Sequence, residues 1–242
     1  MSLIRGWRRQ IKKRIRQWRT GRNAQLEARR LSWPGNGDAL LIAPCELPAP
    51  VREIPREPPP PTELHFFADG NRRQAAYQRT LQQLWSRPSD LPFTESEMHE
   101  TWFGLDPDYR RVFHDYPRAT PFRSTSPVFG RRAGIPADAM PRFLPRVLRE
   151  LDSDATGAFG VESAVRLHHL LVWMHPYSNG NGRLAMALSR YRLKKAGYPT
   201  PDFRGVSRTA YYDALNRAHE GDLRRLAGLF AEAIRAGYPK PI

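Results

Sequence analysis

The most constraining feature of this chain is a polar turn set between two helix-compatible runs. The apolar stretch Leu170-Leu171-Val172-Trp173-Met174 runs into His175-Pro176-Tyr177-Ser178-Asn179-Gly180-Asn181-Gly182-Arg183, and the run Leu184 to Ala196 follows. Gly180 and Gly182 permit a positive φ and offer no side chain to obstruct a ligand. A second helix starting near Asn181 would present free N–H groups and the positive end of its dipole, which together favour an anion. Arg183, in the first turn, adds a fork of donors suited to phosphate. His175 stands just before that anion site, where an imidazole could take a proton from a reacting hydroxyl near neutral pH.

These residues resemble the Fic (Fido) motif, His-Pro-Phe-x-(Asp/Glu)-Gly-Asn-Gly-Arg-x-x-Arg. Agreement extends over His175, Pro176, Gly180, Asn181, Gly182 and Arg183, with Tyr177 a close replacement for Phe. Two more blocks resemble the family. Pro121-Phe122-Arg123-Ser124-Thr125-Ser126-Pro127-Val128-Phe129-Gly130 is similar to the small hairpin, or flap, upstream of the motif. Tyr211-Tyr212 through Ala218-His219-Glu220-Gly221-Asp222 is similar to the C-terminal part of the domain. The resemblance covers about residues 94–235. It implies a mainly α fold, a Fic-type helical bundle with a small β-hairpin flap.

It also implies a reaction: AMP passes from ATP to a Ser, Thr or Tyr hydroxyl of a target protein. His175 would be the base. Gly180, Asn181 and Gly182 would supply backbone N–H groups and an amide to the nucleotide, and Arg183 would grip a phosphate. Tyr211, Tyr212 and His219 match positions near the nucleotide base. Arg123, Ser124, Thr125, Ser126 and Val128 would form the flap, whose exposed strand edge pairs with the target backbone. Pro176 and Tyr177 are expected to shape the loop and fill the core.

Two departures bear on the chemistry. Asn179 replaces the acidic Mg²⁺ ligand of the family, and an amide oxygen without a charge implies a weaker metal site. Met186 replaces the second arginine, which in relatives helps to hold the terminal phosphate. No (Ser/Thr)-x-x-x-Glu-(Gly/Asn) inhibitory motif is found.

The net charge of +15 is uneven. Residues 1–35 hold eleven Arg or Lys and one acid, Glu27, leaving +5 for everything after them. Within residues 3–19, Ile4, Trp7, Ile11, Ile15 and Trp18 fall on one stripe at helical spacing, with basic residues around it. Such a helix could lie on an anionic membrane, bind nucleic acid, or dock its apolar stripe on its own domain. Residues 34–62 read as a spacer ending in Pro58-Pro59-Pro60-Pro61, because proline cannot donate to a helix or sheet ladder. The expected organisation is a basic arm over 1–33, a Pro-rich linker over 34–62 and a Fic domain over 63–242.

Inside that domain the sequence predicts helices over Asn71 to Trp85, from a Thr94-x-x-Glu97 capping box through Trp102 and Phe103, and from Met140 to Leu151. It predicts a buried central helix over Val161 to Met174 and a final helical region over Thr209 to Ala236. His168 and His169, adjacent on the central helix, do not face one another and make a poor metal pair. A single cysteine, Cys45, excludes an intrachain disulfide, and no apolar run approaches the roughly 20 residues that span a bilayer. The expected setting is soluble and cytoplasmic, with export by a route that needs no cleaved signal left open.

Three functional readings stand together: a protein nucleotidyltransferase using ATP and Mg²⁺, a degenerate Fic domain that binds nucleotide or partner, and a protein that acts through its basic arm. An antitoxin or other regulator is a further expected partner.

Overall fold

The computed structural model describes residues 47–50, 71–106, 108–109, 122–124, 127–129, 132–198 and 201–238. The basic helix expected over 3–19 lies outside them, as does all of the linker but residues 47–50. The described chain is mainly helical. Helix α1 spans Asn71–Ser86 and α2 spans Glu95–Gly104. A short antiparallel ladder follows, with β1 (Val128–Phe129) pairing Val128 to Ala133 and Phe129 to Arg132 of β2 (Arg132–Ala133). Then come α3 (Met140–Asp152), α4 (Gly157–Met174), α5 (Asn181–Lys195), α6 (Arg208–His219) and α7 (Arg224–Gly237).

Local chemistry sets several of these boundaries. Thr94 accepts the Glu97 N–H at 3.2 Å, and Glu97 accepts the Thr94 N–H at 2.7 Å, so the expected capping box opens α2. The expected central helix begins four residues earlier, at Gly157, with Thr156 in extended conformation before it. The final helical region is two helices, because Gly221 takes a φ of 95° between them.

Helix α4 packs most extensively on α5 and separates two apolar clusters. One joins α1, α2 and α3 to the near faces of α4 and α5, through Leu81, Met98, Trp102, Leu144, Leu171 and Leu184. The other joins the far faces of the same two helices to α6 and α7, through Val161, Val165, Leu193, Leu215, Leu226 and Phe230. Burial on both sides explains why α4 reads as apolar almost all round. Leu47, inside the stretch expected to be a spacer, packs against the second cluster. Arg192 on α5 is fully buried; its guanidinium donates to Ser163 Oγ, Ser153 Oγ and the Ala155 carbonyl, and so ties α5 to the loop between α3 and α4. Among the described residues no helix is long and apolar enough to cross a membrane.

Candidate active site

The turn from α4 into α5 holds the chemistry. His175 follows the last residue of α4 and takes a left-handed conformation, with φ 46° and ψ 58°. It is the one non-glycine residue with positive φ among those described. Its N–H still donates to the Leu171 carbonyl at 2.9 Å, so it closes the helix while its backbone turns away. The ring is half-buried. Its pKa is lowered to about 4: burial is the main cause, the Val172 carbonyl opposes it, and the Arg123 charge adds to it. At neutral pH His175 is therefore an uncharged imidazole, the form that accepts a proton.

Asn181 opens α5, as expected, with Gly180 before it at φ 75°. The first helical bond is Leu184 N–H to Gly180 O, so the amides ahead of it have no partner within the helix and are aligned with its dipole. The Asn181 side chain is not aimed at a ligand. It is buried and turned back, accepting the Tyr177 N–H at 2.9 Å and donating to the Tyr177 carbonyl at 2.8 Å. Its amide staples the loop, and its backbone N–H stays at the start of α5.

Tyr177 is fully buried, stacked on Trp102 at 4.2 Å and 5°. Its hydroxyl meets His99 Nδ1 at 2.7 Å, which supplies the partner that a Phe would not need. Trp102 Nε1 donates to the Asn179 carbonyl at 2.9 Å, so α2 braces the loop from outside.

Arg183 is buried and already engaged. It pairs with Asp106 Oδ2 at 3.4 Å and donates to the Tyr109 hydroxyl. Asp106, also buried, takes a second guanidinium from Arg73 at 2.9 Å. Tyr109 stacks on Trp102 at 4.8 Å, and its ring fills the space where a side chain at Gly180 would lie. The sequence reading assigned that bare glycine to a ligand; the structure gives it to Tyr109. Asp106 and Tyr109 were not anticipated. An Asp-Pro-Asp-Tyr turn after a helix carries no sign that it folds back onto a site some seventy residues on.

Other predicted residues lie elsewhere. Tyr211 is buried, and its hydroxyl meets His168 Nε2 at 2.8 Å; His219 Nδ1 meets His169 Nε2 at 2.9 Å. These contacts pin α6 to α4 through polar groups inside the core. Burial pushes the Tyr211 pKa up and the His168 pKa down to about 4. Tyr212 stays 42 % exposed, with the Arg208 guanidinium over its ring. Met186 is fully buried in the second cluster, an apolar place that a guanidinium would not fill.

The expected docking segment divides. Ser124 is exposed, Val128 lies in β1, and Thr125 and Ser126 lie outside the described residues. Arg123 is 6 % exposed and bonded to backbone carbonyls around His175, so it does not face a target.

A Mg²⁺ site does not fit the protein groups present. Asn179 Oδ1 accepts the Gly180 N–H at 2.7 Å, and the Asp106 carboxylate lies between two guanidiniums. Among the described residues no group of three or more His, Cys, Asp or Glu is placed to hold a metal.

Residues 109–193 match the model of the Fic/DOC family. The protein adenylyltransferase Fic of Nematostella vectensis is 42% identical over 64 residues, covering 26% of this chain and 15% of that protein. That of Aedes aegypti is 40% identical over 72 residues, covering 30% and 14%. That of Drosophila ananassae is 34% identical over 90 residues, covering 37% and 18%. The chain thus aligns with only about 15% of the length of the first of these relatives. Two solved structures share the fold. Fic-1 from C. elegans superposes with a TM-score of 0.54 at 23% identity, over 69% of this chain and 50% of that one. A Fic domain containing signaling protein from Bacteroides thetaiotaomicron gives 0.57 at 18% identity, over 70% and 72%.

Proposed function

We propose that this chain, whose residues 109–193 match the Fic/DOC family model, transfers AMP from ATP to a hydroxyl side chain of a target protein. The observation that carries the reading is His175, half-buried and uncharged at neutral pH, held left-handed at the head of the turn that leads into α5. The adenylyltransferase activity of the relatives points the same way.

In the proposed reaction the target hydroxyl oxygen forms a bond to the α-phosphorus of ATP. The bond from that phosphorus to the bridging oxygen breaks, and pyrophosphate leaves. His175 takes the hydroxyl proton as the new bond forms. The backbone N–H groups at the start of α5 receive phosphate oxygens where negative charge must be held. Arg183 contributes its charge from the same turn, and its bonds to Asp106 and Tyr109 hold the guanidinium in place against α5. No step is assigned to a metal, because the protein groups here do not fit one. Tyr212 is the exposed member of the C-terminal block available to a nucleotide base. Ser124, with Thr125, Ser126 and Val128, is the part of the flap left to meet a target strand.

The target hydroxyl belongs to Ser, Thr or Tyr.

The test is transfer from α-labelled ATP with Mg²⁺, using the chain itself and a cell lysate as acceptors, read by autoradiography and intact mass. The wild type is expected to yield a labelled adduct one AMP heavier and His175→Ala none. Label in both would remove His175 from the reaction. Nucleotide binding without label from any of the four ribonucleoside triphosphates would overturn the transferase reading.

A further inference from the structure

A left-handed conformation at a residue with a side chain is costly and persists only where the surroundings fix it. His175 is such a residue, and it closes a helix whose last carbonyls lack partners within the helix. Arg123 meets both needs. Its Nε donates to the His175 carbonyl at 2.5 Å, and its Nη2 donates to the Met174 carbonyl at 2.8 Å and the Ile135 carbonyl at 2.5 Å. Its own backbone N–H donates to the Pro176 carbonyl at 2.9 Å. One residue thus takes three consecutive carbonyls, those of Met174, His175 and Pro176, and these are the ones the chain turns through. The position is 6 % exposed, so water does not compete for these bonds.

We propose that Arg123 is a positioning residue for the catalytic histidine, holding His175 in its left-handed conformation by clasping the carbonyls on either side of it. The proposal rests on the reading of His175 as the base. It replaces the docking role expected for Arg123 from the sequence. The guanidinium suits the task because it is planar and delocalised, with donors diverging from one rigid group. An ammonium could reach one of these carbonyls and leave others unmet. The bonds to Ile135 and Pro176 also join the chain on both sides of the hairpin to the end of α4. The hairpin and the histidine are therefore fixed relative to one another, as delivery of a hydroxyl to a base requires. Burial lowers the Arg123 pKa to about 10, still charged at neutral pH.

The experiment uses the full chain with Arg123→Gln and Arg123→Lys. Affinity for ATP is measured by calorimetry. The rate of labelled self-modification is measured at saturating α-labelled ATP. The ring resonances of His175 are followed in histidine-labelled protein, assigned by their loss in His175→Ala. The expected result is a fall in transfer rate of about 100-fold in both variants, the scale of a misplacement near 1 Å. ATP affinity is expected to stay within about two-fold, since the bonds lost are not made to nucleotide. The His175 signals should move or split. A Lys variant with full rate and unmoved His175 signals would overturn the proposal, because charge without the fork would then suffice. A rate loss accompanied by an equal loss of ATP affinity would overturn it too. Should Arg123→Gln fail to fold, Arg123→Lys keeps a cation and an apolar stem in the same space and decides alone. Should the wild type transfer nothing, the transferase reading fails, while the His175 resonances still report whether Arg123 sets that conformation.

Discussion

Gly180→Ala tests how tightly the site is built around Tyr109. Gly180 has a φ of 75°, and a methyl added there would lie 2.7 Å from Tyr109 Cε2 and 2.8 Å from its Cζ. Neither distance is tolerable, and the ring cannot slide without losing contacts. Its hydroxyl accepts from Arg183, and its face stacks on Trp102 at 14°. The cost has two parts. A left-handed alanine is disfavoured by about 1–2 kcal/mol. Expelling the tyrosine forfeits a hydrogen bond to a charged group, about 1.5–3 kcal/mol, and a stacked pair, about 0.5–1.5 kcal/mol. The sum expected is about 3–5 kcal/mol, allowing for partial relaxation of the ring. Urea unfolding followed by far-ultraviolet circular dichroism measures it in four proteins: wild type, Gly180→Ala, Tyr109→Ala and the double variant. With the tyrosine already gone, Gly180→Ala should cost only the backbone part, about 1–2 kcal/mol. The double variant should therefore be more stable than the two single changes summed, by about 2 kcal/mol or more. A coupling below about 0.5 kcal/mol would refute the reasoning, since independent sites add within that margin.

Three further outcomes are expected. His168 is fully buried with its pKa lowered from 6.5 to about 4. Between those values the unfolded chain binds a proton that the folded chain does not, so stability is full above pH 6.5 and falls as the pH drops toward 4, by about 3 kcal/mol. Urea midpoints at pH 7 and 4.5 measure this, and His168→Gln should flatten the slope. The acid limb of kcat/KM for transfer should lie near pH 4, where His175 gains its proton, instead of near the ordinary 6.5; a limb at or above 6.5 would place the base in different surroundings. Met186→Arg, which restores the family's arginine, should destabilise the fold by about 3 kcal/mol or more, because it puts an unpaired guanidinium among buried apolar residues; denaturation of the variant reads it directly.

Linear spacing alone determined the helices that carry the site and the turn between them. Apolar periodicity found α1, α3 and α4, the Thr94 and Glu97 pair marked the start of α2, and glycine and asparagine placed the break before α5. These signals are legible because they are local: a cap, a turn or a stripe is set by residues a few positions apart. The identity of His175 as the residue at the head of the turn belongs to the same class. What the side chains do there was decided by contacts between distant segments. Arg123 looks like a target-facing strand residue until the end of α4 is folded against it. Asn181 looks like a phosphate ligand until the loop closes on its amide. Gly180 makes room for Tyr109, Arg183 pairs with Asp106, and Tyr211 and His219 turn inward onto His168 and His169. A charged or polar residue is assigned by whichever partner reaches it under burial, where leaving it unpaired is costly. That partner is chosen by the packing of whole helices, and no spacing in the sequence records it.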